Sequence, residues 1–501
     1  MLGVLTLFSS SCSLHAGPSS APTKIASQTT IGRIATSLPF SQPFDWTRKR
    51  ITILPAENWG LFKERENVIV ETPDKSLITV FDLYGKTVYS SHSPALLNLR
   101  CGHYFVQSNG DRIQFAVLPN DYVGASFLGA NAVTNVPWGD FQKQQRMGVQ
   151  WVRTVEGALD NVRPQSNRWA WSNMDAIVAA NAGRKIIAIA ADGPVPPWIQ
   201  PSQLVNVYTN FVDALTQRYK GKLTAIEFWN EPAQGEFYNN PNWLQTLAQL
   251  TIHGATAIRA VDPTIQVMAP TWNWSADYTE MATLAQLRAT PFIDVLTWHD
   301  YESYNYPPDQ DVSGGFSNVL TRIALYRQAA QVSGPLAITE LGLWGDSALG
   351  MSYGWAQTNW PAPPVWTVAM ARTIKQTVMY RAGGAEILIP QCLVNGSGFS
   401  KNWASTLGGW EYDDRGPAPK TSAFLMTCHW LNSAKFVGYE HNGSLWKFHW
   451  LRHDQPMTFV WSEEVQENSL ADRAVRVTDI FGNSLVTSQI TPMPFILWGE
   501  K

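Results

Sequence analysis

The spacing of apolar positions divides this chain into a middle and two flanks. Between residues 39 and 120, short β-prone runs (68–70, 77–83, 85–89, 104–106) are separated by turn signals such as Pro73-Asp74 and Asn109-Gly110-Asp111. Residues 433–501 repeat that texture, with runs at 445–450, 458–461, 474–480 and 494–498. One segment links the two ends: Val80-Phe81-Asp82-Leu83-Tyr84-Gly85-Lys86 parallels Val477-Thr478-Asp479-Ile480-Phe481-Gly482-Asn483. Each reads as a strand, an Asp-containing turn closed by glycine, and a second strand. The flanks are therefore expected to be an N-terminal and a C-terminal β-sandwich module, or two halves of one.

The middle, 121–432, alternates differently. Eight apolar runs read as strands, at 122–126, 149–154, 185–191, 223–229, 265–270, 293–299, 336–341 and 385–391. Helical periodicity falls between them. One helix is expected from an N-cap at Ser202, with Leu204, Tyr208, Phe211, Leu215 and Tyr219 on one face, to Gly221. Another runs from Asn242 and is stopped by Asp262-Pro263. Strands alternating with helices imply parallel βα units, and eight of them predict an α/β protein built on a (β/α)8 TIM barrel. The alternative, a doubly wound open sheet, lacks the glycine fingerprint expected after its first strand.

Composition narrows the function. Charged residues are 15% of the chain against the roughly 25% usual for soluble domains, and the net charge is −3, so no basic surface invites nucleic acid. No apolar run is long enough for a transmembrane helix. The count of 23 Trp is high, and indole faces are natural platforms for sugars as well as core fillers. Four cysteines make neither a disulfide framework nor a CxxC metal site, and no cofactor or metal is expected. Residues 1–38 read as an export signal or linker: an apolar start without a basic region, then Ser9-Ser10-Ser11-Cys12, loosely like a lipid-attachment site, then a Ser/Thr/Pro-rich stretch. A secreted, periplasmic or lipid-anchored location is the expectation; the oligomeric state is left open.

Catalytic groups of a βα barrel sit at the C-terminal ends of its strands. Two predicted strands end in glutamate: the fourth at Phe228-Trp229-Asn230-Glu231-Pro232 and the seventh at Ile338-Thr339-Glu340-Leu341. Three βα units apart, both carboxylates face the barrel mouth, which is what glycosidic cleavage needs. Glu227, two pleats below Glu231, reads instead as a buried structural acid.

These residues carry a resemblance. Gly148-Val149-Gln150-Trp151-Val152-Arg153, Glu227-Phe228-Trp229-Asn230-Glu231-Pro232, Ala260-Val261-Asp262-Pro263, His299-Asp300-Tyr301 and Thr339-Glu340, in that order on those strands, resemble clan A of the glycoside hydrolases, most closely the family 39 type. The resemblance implies a retaining glycoside hydrolase acting on a β-linked oligo- or polysaccharide. It makes Glu231 the general acid/base, Glu340 the nucleophile, and Asn230 the partner of the sugar 2-hydroxyl. Arg153 holds Glu340 ionised, Tyr301 hydrogen-bonds it, and His299 lines the site beside the sugar. Glu231 needs a drier or more negative setting to keep its proton. Family 39-like proteins include xylosidases, iduronidases and endo-hydrolases, so the sugar, linkage and mode of attack stay open. The clan's strand-eight Trp is missing; Gln391, or Trp403 or Trp410, is its candidate replacement.

Aromatic residues in the strand-end loops are candidate sugar platforms: Trp198 and Trp344 foremost, then Trp272, Trp274, Trp355, Trp360 and Trp366. The competing reading is a noncatalytic cell-surface carbohydrate-binding protein. Retention predicts carboxyl groups about 5–5.5 Å apart.

Overall fold

The computed structural model describes residues 51–133, 141–233, 240–272, 278–301, 308–311, 317–343, 363–391, 393, 416–467, 475–486 and 489–499. The expectations for 1–38, Cys12, Trp274, Trp344, Trp355, Trp360, Trp403 and Trp410, and for the side chain of Trp366, lie outside the described residues.

Among the described residues the N-terminal module has eight short strands: β1 (Thr52–Leu54), β2 (Leu61–Lys63), β3 (Val68–Glu71), β4 (Leu77–Asp82), β5 (Thr87–His92), β6 (Ala95–Leu97), β7 (Gly102–Ser108) and β8 (Asp111–Leu118). They form sheets of order β1-β3-β6 and β2-β8-β7-β4-β5. Alternating apolar residues of both sheets, among them Val68, Val70, Val80, Val106 and Phe115, meet in one buried cluster, which makes the module a sandwich.

The barrel strands are β9 (Gly129–Asn131), β10 (Trp151–Thr154), β11 (Lys185–Ile189), β12 (Ala225–Glu227), β13 (Gln266–Trp272), β14 (Val295–Asp300), β15 (Leu336–Leu341) and β16 (Ala385–Pro390). All neighbours pair in parallel, and a parallel bridge between Leu128 and Leu388 closes the ring. Trp151, Ile187, Ala225, Met268, Val295, Ala337, Ile387 and Ile389 share a separate buried cluster, the filling expected inside a closed barrel.

The first strand is not where patterning put it. Residues 122–126 are irregular: Gly124 has φ +83°, and a Cβ there would lie 2.1 Å from the Gly148 carbonyl oxygen. Only glycine tolerates that backbone crossing. The ring starts at Gly129, where a Cβ would sit 2.6 Å from Ile389 Cγ1, so a missing side chain is what lets first and last strands meet.

The two expected helices form as Leu204–Arg218 and Trp243–Val261, the first burying Leu204, Tyr208, Phe211 and Leu215. Ser202 caps nothing; it lies within a 3-10 turn, Pro201–Gln203.

Helix Pro419–Leu431 is buried at every position, because the barrel covers one side and both modules the other. His103 Nδ1 meets Ser422 Oγ at 2.9 Å from the N-terminal side, and Trp430 Nε1 donates to the Ile480 carbonyl at 2.6 Å on the C-terminal side.

The C-terminal module comprises β17 (Lys435–Asn442), β18 (Leu445–Arg452), β19 (Gln455–Ser462), β20 (Gln466–Glu467), β21 (Arg476–Thr478), β22 (Gln489–Ile490) and β23 (Phe495–Trp498). A five-stranded sheet, β17-β18-β19-β23-β21, packs over the small β20-β22 pair. The paired Asp turns have the same anatomy. Asp82 Oδ1 accepts from the Tyr84 and Lys86 amides; Asp479 Oδ1 accepts from those of Phe481 and Asn483.

Candidate active site

The mouth of the barrel holds one connected polar cluster, and Arg153 at the end of β10 is its hub. The guanidinium is 2% exposed. Its Nε bonds Glu227 Oε2, Nη1 donates to Glu340 Oε1 at 2.8 Å, and Nη2 donates to Asn230 Oδ1 at 2.7 Å. Burial works against its charge, but Glu227 and Glu340 outweigh that and hold it above the ordinary arginine value. Glu227, the last residue of β12, is fully buried. Its Oε1 accepts from Thr271 Oγ1 at 2.9 Å and Thr339 Oγ1 at 2.7 Å, so every contact to it is a donor.

Glu340 enters from β15 and is 9% exposed. Besides Arg153, it accepts a bond from the Tyr301 hydroxyl on Oε2. Burial alone pushes its carboxyl up, yet the charges of His299 and Arg153 and the bonds from Tyr301 and Arg153 bring it below the usual range.

Glu231 reaches the same place by another route. Strand β12 ends at Glu227, so Glu231 is not the strand's last residue; it stands on a short extension held by Asn230 N–H to Ala191 O (2.8 Å) and Glu231 N–H to Thr271 O (3.2 Å). Its φ of +46° is left-handed, a conformation costing roughly 1–2 kcal/mol for a side chain with a Cβ. Such strain clusters where function fixes a backbone.

His299 is fully buried on β14, with Nδ1 2.7 Å from Glu231 Oε1 and 3.5 Å from Glu340 Oε2. It therefore lies against both carboxylates. Burial works against its charged form, but the charge of Glu340 and the bond to Glu231 raise its pKa above the ordinary histidine value. A register shift between Trp298 and His299 re-aims the strand end here. Asp300 points the other way, to Arg322, Gln376 and Tyr380 among the helices.

One donor atom each of Glu231, His299 and Glu340 lies within 4.8 Å of the others, the one metal-like grouping among the described residues. Arg153 already donates to Glu340 and sits 3.4 Å from His299 Nε2, and its fixed positive charge opposes a cation there.

The other expected residues divide. Gln391 is buried, and its Oε1 accepts from Asn131 Nδ2, tying the eighth strand to the first. Trp198 is half-buried: its indole N–H donates to the Arg163 carbonyl at 3.3 Å, and the Arg163 guanidinium lies 4.8 Å over its ring. Trp272 is no platform, being fully buried edge-on against Trp243.

Sequence reasoning missed Asp192 and Asp160. Asp192 Oδ1 accepts from Asn230 Nδ2 at 2.8 Å. Asp160 stands behind it, and burial followed by the Asp192 charge pushes its carboxyl up to about 7. Asp192 was findable as the first polar residue after the apolar run of the third strand. Asp160 had no such signal.

The chain thus holds a closed parallel barrel with two carboxylates converging at its C-terminal face. Residues 148–377 match the family model described as Cellulase (glycosyl hydrolase family 5). Among solved structures, a family 39 glycoside hydrolase from the gut symbiont Bacteroides cellulosilyticus WH2 is similar with a TM-score of 0.67 at 14% identity, over 90% of this chain and 100% of that chain. The family 39 enzyme from Xanthomonas axonopodis pv. citri gives 0.46 at 16% identity, over 72% and 77%. A monomeric beta-xylosidase from Caulobacter crescentus CB15 gives 0.46 at 16%, over 68% and 74%. No curated protein matches. The barrel is that of an O-glycosyl hydrolase, similar in sequence to the family 5 model over those residues, in a chain whose fold is similar to that of the family 39 enzyme.

Proposed function

We propose that Glu340 is the nucleophile and Glu231 the general acid/base of a double displacement on a β-linked oligo- or polysaccharide. The observation that carries this reading is the proximity of the two carboxylates, with one oxygen of each within 4.8 Å of the other. An inverting pair stands about 6.5–9.5 Å apart to admit a water, so the spacing favours retention. Glu231 protonates the glycosidic oxygen as Glu340 attacks the anomeric carbon. The leaving sugar departs and a glycosyl ester forms on Glu340. Glu231 then takes a proton from water, which attacks the same carbon and releases Glu340. The charges of Arg153 and His299 and the Tyr301 hydrogen bond keep Glu340 ionised for attack. Asn230, bonded to Arg153 and next to Glu231 in the chain, is suited to hold the hydroxyl beside the anomeric centre. A noncatalytic binding protein has no need of two like charges held together, and that reading is not favoured.

The substrate is outside the cytoplasm in this proposal, since a polymer of sugars does not cross a bilayer. No helix among the described residues is long and apolar enough to span a membrane.

The test is a screen of aryl glycosides and polysaccharides with wild type beside Glu231→Gln and Glu340→Gln. The first-formed anomer is read by NMR. Retained configuration and loss of activity in Glu340→Gln are expected. Full-rate hydrolysis by Glu340→Gln, or an inverted first product, overturns the assignment.

A further inference from the structure

We propose that Asp192 is a positioning residue for the reaction, acting through the side-chain amide of Asn230. The inference rests on the reading of the site above and adds a member to it. Asp192 follows β11, and its backbone forms an isolated parallel bridge with Asn230, so pairing continues past the strand ends and brings the two side chains together. Asn230 is held from both sides: its Oδ1 accepts from Arg153 Nη2 at 2.7 Å, and its Nδ2 donates to Asp192 Oδ1 at 2.8 Å.

These two partners are not interchangeable. A guanidinium only donates, and an ionised carboxylate only accepts. Rotating the Asn230 amide by half a turn would set NH2 against the guanidinium and C=O against the carboxylate, losing both bonds. Arg153 and Asp192 together therefore select one of two orientations. In that orientation one Nδ2 hydrogen is spent on Asp192, and the second remains for a ligand in the cleft, where Asn230 is partly exposed. Without Asp192 only the Arg153 bond holds the amide, and the donor loses its fixed direction.

Asp192 touches none of the reacting atoms in this scheme. Its effect is expected wherever the sugar carries the hydroxyl that Asn230 holds, and nowhere else. The experiment uses the full chain, the aryl glycoside that wild type hydrolyses fastest, and its 2-deoxy counterpart. Asp192→Leu removes the acceptor at similar volume; Asp192→Asn keeps an oxygen that can accept the same bond. Asp192→Leu is expected to lower kcat/KM on the hydroxylated substrate by about 10–100-fold, in the range of a hydrogen bond to a charged group. On the 2-deoxy substrate that loss disappears, and Asp192→Asn retains most of the wild-type rate on both. Equal losses on the two substrates, or no loss on either, overturn the proposal. If Asp192→Leu does not fold, Asp192→Ser is measured in the same pair of assays and judged by the same difference. Failure of the underlying reading shows separately, as full activity in Glu340→Gln.

Discussion

His299 Nδ1 lies 2.7 Å from Glu231 Oε1, within a histidine that has no exposed surface. Bond and charge together make the folded state hold the histidine proton more tightly than the unfolded chain does, because Glu340 and Glu231 overcome the cost of burial. The stability this contributes is complete below the unfolded value of 6.5 and is lost as pH rises through the higher folded value. Urea denaturation of wild type should show falling stability on the alkaline side of 6.5, and His299→Gln should flatten that fall. An unchanged alkaline slope in the variant would contradict the assignment.

Glu340 behaves in the opposite sense. Its folded value lies below the ordinary 4.5, so its contribution is present above that pH and disappears as pH falls through the lowered value. Tyr301→Phe removes one of the bonds holding it down. The acid limb of kcat/KM should then move to higher pH by about 1–2 units, matching the loss of a hydrogen bond to a charged group. An acid limb that stays put would assign Tyr301 to packing alone.

Arg153 balances two buried carboxylates at once. Arg153→Met leaves Glu227 and Glu340 uncompensated, and about 3–5 kcal/mol of stability should go with it. Arg153→Lys should recover only part, because an ammonium has no planar fork to serve Glu227, Glu340 and Asn230 together. The double variant Arg153→Met/Glu227→Gln should be more stable than Arg153→Met alone. Denaturant titrations of wild type, Arg153→Met, Glu227→Gln and the double variant measure this coupling, and additive effects would refute it.

The two Asp turns meet in space: the Tyr84 hydroxyl donates to Asp479 Oδ2 at 2.9 Å, and Asn483 Nδ2 donates to the Cys101 carbonyl at 3.1 Å. Tyr84→Phe should cost about 0.5–1.5 kcal/mol. Amide exchange should quicken in residues 80–86 and 477–483 together. A change confined to 80–86 would mean the modules are held elsewhere, chiefly by the buried helix Pro419–Leu431.

Much of this arrangement could be read from spacing. The runs ending near Glu231 and Glu340, the amphipathic face Leu204, Tyr208, Phe211, Leu215, and the repeated Asp-Gly turns are local signals, each set by a few neighbouring residues. The misplaced first strand shows where such signals fail. Residues 122–126 are apolar enough for a strand, but Gly124 is pinned against Gly148, and no periodicity reports a contact with a distant backbone. Trp272 was misjudged for a similar reason: a ring after a strand end can face the cleft or the helices, and here Trp243 takes it.

Local signals were enough for the alternation of strands and helices, the sandwich texture of the flanks, and two acids at or just beyond strand ends, because hydrophobic period and turn chemistry act over a few residues. Folding in three dimensions was needed for Arg153 to be shared by Glu227, Asn230 and Glu340, for His299 to lie against both carboxylates, and for Asp192 to grip Asn230. Those are through-space encounters between loops of different strands. Their geometry follows from how the ring closes and where each strand end is turned, which nothing in the order of residues along the chain records.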